Sequence, residues 1–563
     1  MAASARVARA TRLREWMSPL LVAVGIYVLS QQWSGLDTPD SEFYASLAIF
    51  TDAVTDRAPI DSYYWTRLGL IAPAHVAISL LGIWEGFAVY KAFITLTLSA
   101  SLFAIFRHFT GFWRATWLTA AGASSSIVVA YLGNPYVSAT VVAGLTALLA
   151  FTIHGRLWGA IGGGIALGWL AMTYPTGALL GLTISVSMVT YRLRSSTPDW
   201  SRVVRRAATA VAALLLTVGG FLLAGRVLFP DLDWLSSVLL ASGQDHSVHG
   251  SGEWVWLRDI SLLVPTATLV LSLANRLQGP HKTPADLAVI ISSSSIAFYL
   301  VFAPIFGAQF LEAPLHQVLL WAPTLTALGL VAASRMADDV PRTTGRVALI
   351  VAALVVVIAC GWLAPDLGFA LGVVIAVAMT AAVLLAPQRT VSTLLAMAVF
   401  FAGAQLLQNS RPPLGKFMLD PYYWAYTSNP NEAKLRNAVN AQQWLIDNTT
   451  SKDRLLLWVD GPWTSGDREL YSVAAMQLWG ENRVTLEPTL TDDYGTQKMK
   501  DAEPTALVLY GKSMDAVWTF WESIPRTYDP MPPQCYDFNW PIDPTSAFPT
   551  PVGHTCIVRL SKE

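Results

Sequence analysis

Arg202-Val203-Val204-Arg205-Arg206 leads into Ala207-Ala208-Thr209-Ala210-Val211-Ala212-Ala213-Leu214-Leu215-Leu216-Thr217-Val218-Gly219-Gly220-Phe221-Leu222-Leu223-Ala224-Gly225-Arg226-Val227-Leu228. From Ala207 to Gly225 no residue is charged, which approaches the roughly 20 apolar residues a helix needs to cross a bilayer. The arginines in front mark the cytoplasmic side of such a span. Similar runs recur, and spans are predicted near 16–35, 84–106, 115–131, 138–155, 158–173, 176–191, 207–228, 259–275, 285–304, 317–334, 346–363, 367–386 and 390–408. Hydrophobic residues make up 53% of the 563, and only 13% are charged, against about 25% in a soluble domain. The fold class is a polytopic α-helical membrane protein with about 13 transmembrane helices. A net charge of −1 excludes nucleic acid as a partner, which selects a basic face; membrane lipids are the partners composition implies.

Topology follows from the short loops, because basic residues are retained inside. Arg107 and Arg114, Arg156, the cluster Arg192, Arg194, Arg202, Arg205 and Arg206, Arg276 with Lys282, Arg335, Arg342 and Arg346, and Arg389 fall in alternate connections. Opposite connections hold few: Arg57 and Arg67, then Arg258, and none around Asn134, Tyr174, Gln309 or Pro365. Arg6, Arg9, Arg12 and Arg14 precede the first apolar run, and no small-residue cleavage site follows it, so that run reads as an anchor and not a cleaved signal. An odd number of spans then places the N-terminus in the cytoplasm and the C-terminus outside a plasma (inner) membrane.

Beyond residue 408 the apolar runs stop. Two domains are expected: 1–408 in the membrane and 409–563 as an extracytoplasmic α/β domain. Strands are predicted at Arg454 to Val459, Arg483 to Leu486, Ala506 to Tyr510 and Cys556 to Leu560, and amphipathic helices at Lys434 to Asp447 and Met514 to Ser523. Cys535 and Cys556 are the two cysteines of this part, and in an oxidising compartment they are expected to be bridged. No nucleotide-binding or zinc-ligand spacing is found, and no solenoid repeat.

Acids are scarce, so Leu36-Asp37-Thr38-Pro39-Asp40-Ser41-Glu42-Phe43-Tyr44, just past the first span, stands out. The loop from Asp37 to Ile83 is long for a simple connection, which points to function. Phe43, Tyr44, Leu47, Phe50 and Val54 recur at helical spacing, predicting an amphipathic helix from Ser41 to Thr55 on the membrane surface. Asp40 at its start reads either as an N-cap, contributing about 1 kcal/mol, or as a group that meets substrate.

With Tyr64-Trp65-Thr66-Arg67-Leu68-Gly69-Leu70-Ile71-Ala72-Pro73, Asn134-Pro135-Tyr136, Met172-Thr173-Tyr174-Pro175-Thr176-Gly177 and His316-Gln317-Val318-Leu319-Leu320-Trp321-Ala322-Pro323, these acids resemble the GT-C superfamily of integral membrane glycosyltransferases over roughly residues 15 to 408. The resemblance implies an enzyme with an outward-facing active site, a sugar on a polyprenyl phosphate as donor, and an exoplasmic C-terminal domain. The family's last pattern usually begins with Arg, where this sequence has His316.

Displacing a polyprenyl phosphate from an anomeric carbon needs a carboxylate to take the acceptor's proton and cations to stabilise the departing phosphate. Asp40, or else Asp37, is the expected base, and one base opposite the leaving group gives inversion. Lys91, His316, Arg67 and Arg258 are the expected phosphate ligands. Lys91 is expected two turns into its span, where a charge costs about 3 kcal/mol; snorkelling to the interface is the plainer reading. Glu42, Tyr44, His246, His249, Trp254 and Glu312 are candidate substrate contacts, although Trp254 also suits an interfacial belt and the two histidines lack a clear third metal ligand. No cofactor is expected, and a divalent metal stays open. The acceptor would be a cell-envelope glycan or glycolipid; abundant Ala, Val, Trp and Arg fit a high-GC bacterium and an arabinan or mannan product. A flippase or transporter of lipid-linked sugars, or an O-antigen ligase or polymerase, are the competing classes. Acids in the first loop favour the transferase.

Overall fold

The computed structural model describes residues 15, 17–28, 40–51, 66–125, 128, 132, 137–195, 199–230, 263–278, 282–306, 314–335, 430–450, 452–460, 493–511, 513–539 and 552–561. Helices α1 (Met17–Val28), α2 (Asp40–Ile49), α3 (Leu68–Leu81), α4 (Ile83–Phe109), α5 (Phe112–Ala123), α6 (Val137–His154), α7 (Leu157–Thr173), α8 (Pro175–Ser195), α9 (Trp200–Leu228), α10 (Leu263–Gln278), α11 (Lys282–Phe306) and α12 (Pro314–Arg335) build a helical bundle. The predicted spans at 346–363, 367–386 and 390–408 lie outside the described residues. By length and composition, four helical stretches among the described residues suffice to cross a membrane: α4, α6, α9 and Thr283–Val301 within α11. Burial divides them. The α6 helix sits inside the bundle, whereas α9 exposes Val204, Val211, Leu215, Leu216, Leu223 and Val227 along its length, an apolar surface that needs lipid around it.

The arginine-rich connections converge at one end. Glu15 pairs with Arg107 at 2.9 Å, Arg192 donates at 2.6 Å to the carbonyls of Thr152 and of Ile153, and Asp286 accepts from Tyr191 and Arg276. Asp199 caps α9, accepting from the Arg202 N–H at 3.3 Å. Trp113, Trp158 and Trp200 are exposed near the starts of α5, α7 and α9 at this same end, as interfacial anchors are.

Two departures concern the predicted first outer loop. It contains α3, a helix of 14 residues with Pro73 inside it, too short to register as a span. And α2 does not lie amphipathically on a surface: Tyr44, Ala45, Ser46, Leu47 and Ala48 are buried in succession. The cause is α3, whose His75 Nδ1 lies 2.8 Å from Thr51 Oγ1 and 2.9 Å from the Ala48 carbonyl. Protein therefore covers the side that was expected to be wet.

The remaining described residues form a layered α/β unit: α13 (Pro430–Asn448), β1 (Leu455–Val459), α14 (Asp493–Ala502), β2 (Ala506–Gly511), α15 (Met514–Ser523), β3 (Gln534–Asn539) and β4 (Val552–Arg559). The sheet order is β1-β2-β4-β3, with β1 and β2 parallel and the other pairs antiparallel. Side chains alternate between faces. Leu456, Trp458, Leu507, Leu509 and Val558 pack with Met499, Val517 and Phe520 of α14 and α15. Leu457, Val508, Tyr510 and Ile557 cluster with Val439, Ala441 and Leu445 of α13. Both faces are covered, so all of β2 is buried. Cys535 and Cys556 are register partners on β3 and β4 and form a disulfide. The predicted strand at Arg483 to Leu486 lies outside the described residues.

Candidate functional site

The bundle's other end is poor in basic residues; among those described, Arg67, Lys91 and Arg226 stand there. Arg67 precedes α3, and its Cζ lies 4.7 Å from the centre of the Tyr174 ring, a cation–π distance. Tyr174 closes α7, its N–H bonded to the Leu170 carbonyl at 2.7 Å. The two elements are clamped together next door. Trp169 Nε1 donates to the Gly69 carbonyl at 2.9 Å, and a Cβ at position 69 would fall 2.2 Å from Thr173 Oγ1 and 2.9 Å from the Trp169 carbonyl oxygen. Only glycine admits that approach. Leu68 packs on Gly225 near the end of α9, and Gly177 lies between Val141 and Leu319, so the start of α3, the ends of α7 and α9, and the starts of α6, α8 and α12 assemble at one level. Tyr299 of α11 is buried.

Lys91 is 8% exposed, and its Nζ lies 4.7 Å from the centre of the Tyr27 ring at the end of α1. Its neighbour Tyr90 shares a 2.8 Å hydrogen bond with Thr140 in the first turn of α6. Lys91 is the ninth residue of α4, about two turns in from its start at Ile83. Its helix has 27 residues, and these contacts set Lys91 level with the first turn of α6 and the exit of α1. The chain next enters the acid-bearing segment from that exit.

Asp40 and Glu42 occupy the first turn of α2, and His316 the first turn of α12. Tyr44 is packed in the core at 2% exposed. Asp37, Arg258, His246, His249, Trp254 and Glu312 lie outside the described residues. Among the described residues no three of His, Cys, Asp or Glu gather to hold a metal ion. The ring beneath Lys91 was not singled out from sequence; its one signal is a tyrosine at the end of an apolar run, the usual place for an interfacial aromatic.

These features define a polytopic helical membrane protein with the GT-C fold. Similar solved structures include ArnT from Cupriavidus metallidurans. With ArnT bound to undecaprenyl phosphate the TM-score is 0.52 at 15% identity, covering 96% of this chain and 97% of that one. With ArnT in the apo state it is 0.52 at 16%, covering 99% and 98%. At such identity the likeness is one of fold. No protein-family model matches the sequence, and no curated protein matches it.

Proposed function

We propose that the chain is a glycosyltransferase that moves a sugar from a polyprenyl-phosphate donor to a cell-envelope glycan or glycolipid at the outer face of the plasma membrane. The observation that carries this reading is the placement of Lys91 and Arg67 at the arginine-poor end of the bundle, each on a tyrosine ring and each beside the exit or entry of a helix. A lipid-anchored phosphate is confined to that level by its own tail, so cations there meet it without entering hydrocarbon. The fold is shared with ArnT, whose structure holds undecaprenyl phosphate, and the same lipid phosphate class suits this end of the chain.

In the reaction, the acceptor hydroxyl attacks the anomeric carbon as the bond to the phosphate oxygen breaks. Asp40, or else Asp37, takes the acceptor's proton, and Lys91 and Arg67, joined by His316 and Arg258, neutralise the departing phosphate. Attack opposite the leaving group inverts the anomeric centre. Glu42, His246, His249, Trp254 and Glu312 are assigned to sugar hydroxyls and ring faces, while Tyr44 is assigned to packing. The arginine asymmetry orients the N-terminus to the cytoplasm, which puts residues 409–563 outside as the domain that receives the acceptor.

The deciding experiment reconstitutes the purified protein in vesicles with a radiolabelled polyprenyl-phosphate sugar and follows release of polyprenyl phosphate and label transfer to envelope glycan. Transfer by the native protein and its loss in Arg67→Ala support the reading. Absence of both donor binding and release across a panel of polyprenyl-phosphate sugars refutes it.

A further inference from the structure

One row of side chains crosses the sheet on the face that α13 covers: Tyr536 of β3, Thr555 of β4 and Tyr510 of β2 are successive register partners. Tyr510 and Thr555 are fully buried, and so is Gln442 of α13. The Tyr510 hydroxyl, the Thr555 hydroxyl and both amide atoms of Gln442 make no hydrogen bond. Buried polar groups in folded proteins are almost always satisfied, and each exception calls for an explanation. Here four such atoms fall in one layer between α13 and the sheet.

The chemistry of the layer is specific. A phenol, a hydroxyl and a carboxamide offer donors and acceptors and no charge. The charged pair of that face, Arg559 with Asp453, lies at the opposite end of β4 and is closed at 2.6 Å. An anion would bring unbalanced charge to this layer, whereas a neutral polyol would satisfy it. Beside the layer, Trp444 of α13 and Tyr536 of β3 are half-buried and stacked, ring centres 6.0 Å apart and planes 30° apart. Because β3 is the edge strand, this pair marks where the layer meets the surface. Tyr510 also stands near the carboxyl ends of the parallel strands β1 and β2, the side on which open α/β sheets bind ligands.

We infer that the layer beneath α13 is a binding site for neutral sugar units of the acceptor glycan, opened by a shift of α13 away from β3 and β4. Sugar hydroxyls take up the Gln442, Thr555 and Tyr510 groups, and the Trp444–Tyr536 pair opens to stack on the sugar ring. The inference rests on the glycosyltransferase reading and adds the place where the acceptor is held. The site therefore requires that α13, which is fastened by Val439, Ala441 and Leu445 but seated over unsatisfied groups between them, be the element that moves.

The test uses the full-length protein in lipid nanodiscs and two probes: undecaprenyl phosphate, and neutral oligosaccharides of about four to eight sugars made by partial hydrolysis of the producing cell's envelope polysaccharide. Tyr510→Phe, Thr555→Val and Gln442→Leu each remove unsatisfied atoms at nearly constant shape. The expected result is an unfolding temperature held or raised, about a tenfold loss of oligosaccharide affinity in each variant, and native affinity for undecaprenyl phosphate. Faster amide exchange in α13 than in β2, slowed by the oligosaccharide, is expected in the native protein. Oligosaccharide binding unchanged in the variants overturns the inference and leaves the layer as a seat for buried water. Native protein that binds undecaprenyl phosphate but no oligosaccharide overturns it as well, with the transferase reading intact; binding of neither probe overturns both.

Discussion

Replacing Lys91 by methionine keeps the length and apolar stem of the side chain and removes only its charge. Lys91 is 8% exposed, with Nζ 4.7 Å from the Tyr27 ring centre, so the ammonium is held in one place before any ligand arrives. A hydrogen bond to a charged partner contributes about 1.5–3 kcal/mol, and each 1.4 kcal/mol is a factor of ten. Lys91→Met is therefore expected to weaken undecaprenyl-phosphate binding by about ten- to 150-fold, with transfer from a polyprenyl-phosphate sugar falling at least as far. Tyr27→Leu leaves the charge and removes its ring, a loss of about 0.5–1 kcal/mol, and the double variant should lose less than the sum because the two side chains touch. Calorimetric titration of each variant in nanodiscs, beside single-turnover transfer, reads both quantities. Because burying an ammonium is costly, Lys91→Met should fold at least as stably as the native protein. A Lys91→Met protein that binds the lipid phosphate and transfers sugar as the native one does would refute the placement of the phosphate at this end of α4.

Asp40→Asn is expected to abolish transfer while donor binding survives; more than about a tenth of native turnover in the purified variant moves the base to Asp37 or rejects the mechanism. Cys535 and Cys556 are separated by 21 positions, for which chain-entropy gives about 3 kcal/mol, so Cys535→Ser should lower the stability of the α/β unit by that order in chemical denaturation; an unchanged midpoint contradicts the estimate. Burial pushes the Asp453 carboxyl up, but hydrogen bonds from the Thr450 N–H and hydroxyl and the Arg559 guanidinium outweigh it and hold it below the ordinary value. Its contribution is then complete above about pH 4 and lost as pH falls through the depressed value. Asp453→Asn should flatten the acid limb of the unit's unfolding curve, and an acid limb identical to the native one removes Asp453 from that role.

What the sequence made legible follows from how local each signal is. Arginines in short loops report their side of the membrane without any knowledge of packing, and Arg107, Arg192 and Arg276 do gather at one end of the bundle. Strands β1 and β2 were readable because each is an uninterrupted apolar run in the middle of the sheet. Strand β3 was not, since Gln534-Cys535-Tyr536-Asp537-Phe538-Asn539 is a half-polar edge strand behind Pro530, Pro532 and Pro533. Helix α14 was missed for a related reason: Asp493–Ala502 is mostly polar, and its register is set by Met499 meeting the sheet. At the candidate site the charges of Lys91 and Arg67 were visible as exceptions in apolar sequence. Their partners Tyr27 and Tyr174 are far away in the chain and are found only by folding it.

The depth of Lys91 ties the helix lengths to the chemistry. At 1.5 Å per residue, α4 spans about 40 Å, more than the roughly 30 Å of a bilayer's hydrocarbon core. Along α4, Lys91 stands 16 residues, about 24 Å, from Arg107, which pairs with Glu15 at the arginine-rich end of the bundle. The chain enters α4 from α3 through the turn at Gly82, and at the start of α3 Arg67 lies on the Tyr174 ring. A short helix leading into a long one thus carries two cations, Arg67 before α3 and Lys91 about two turns into α4, each set on a tyrosine ring of another helix end. The Trp169 bond to the Gly69 carbonyl and the close approach of Gly69 to Thr173 lock the start of α3 on α7, which gives α3 a role in holding Arg67 that a flexible loop would not fill.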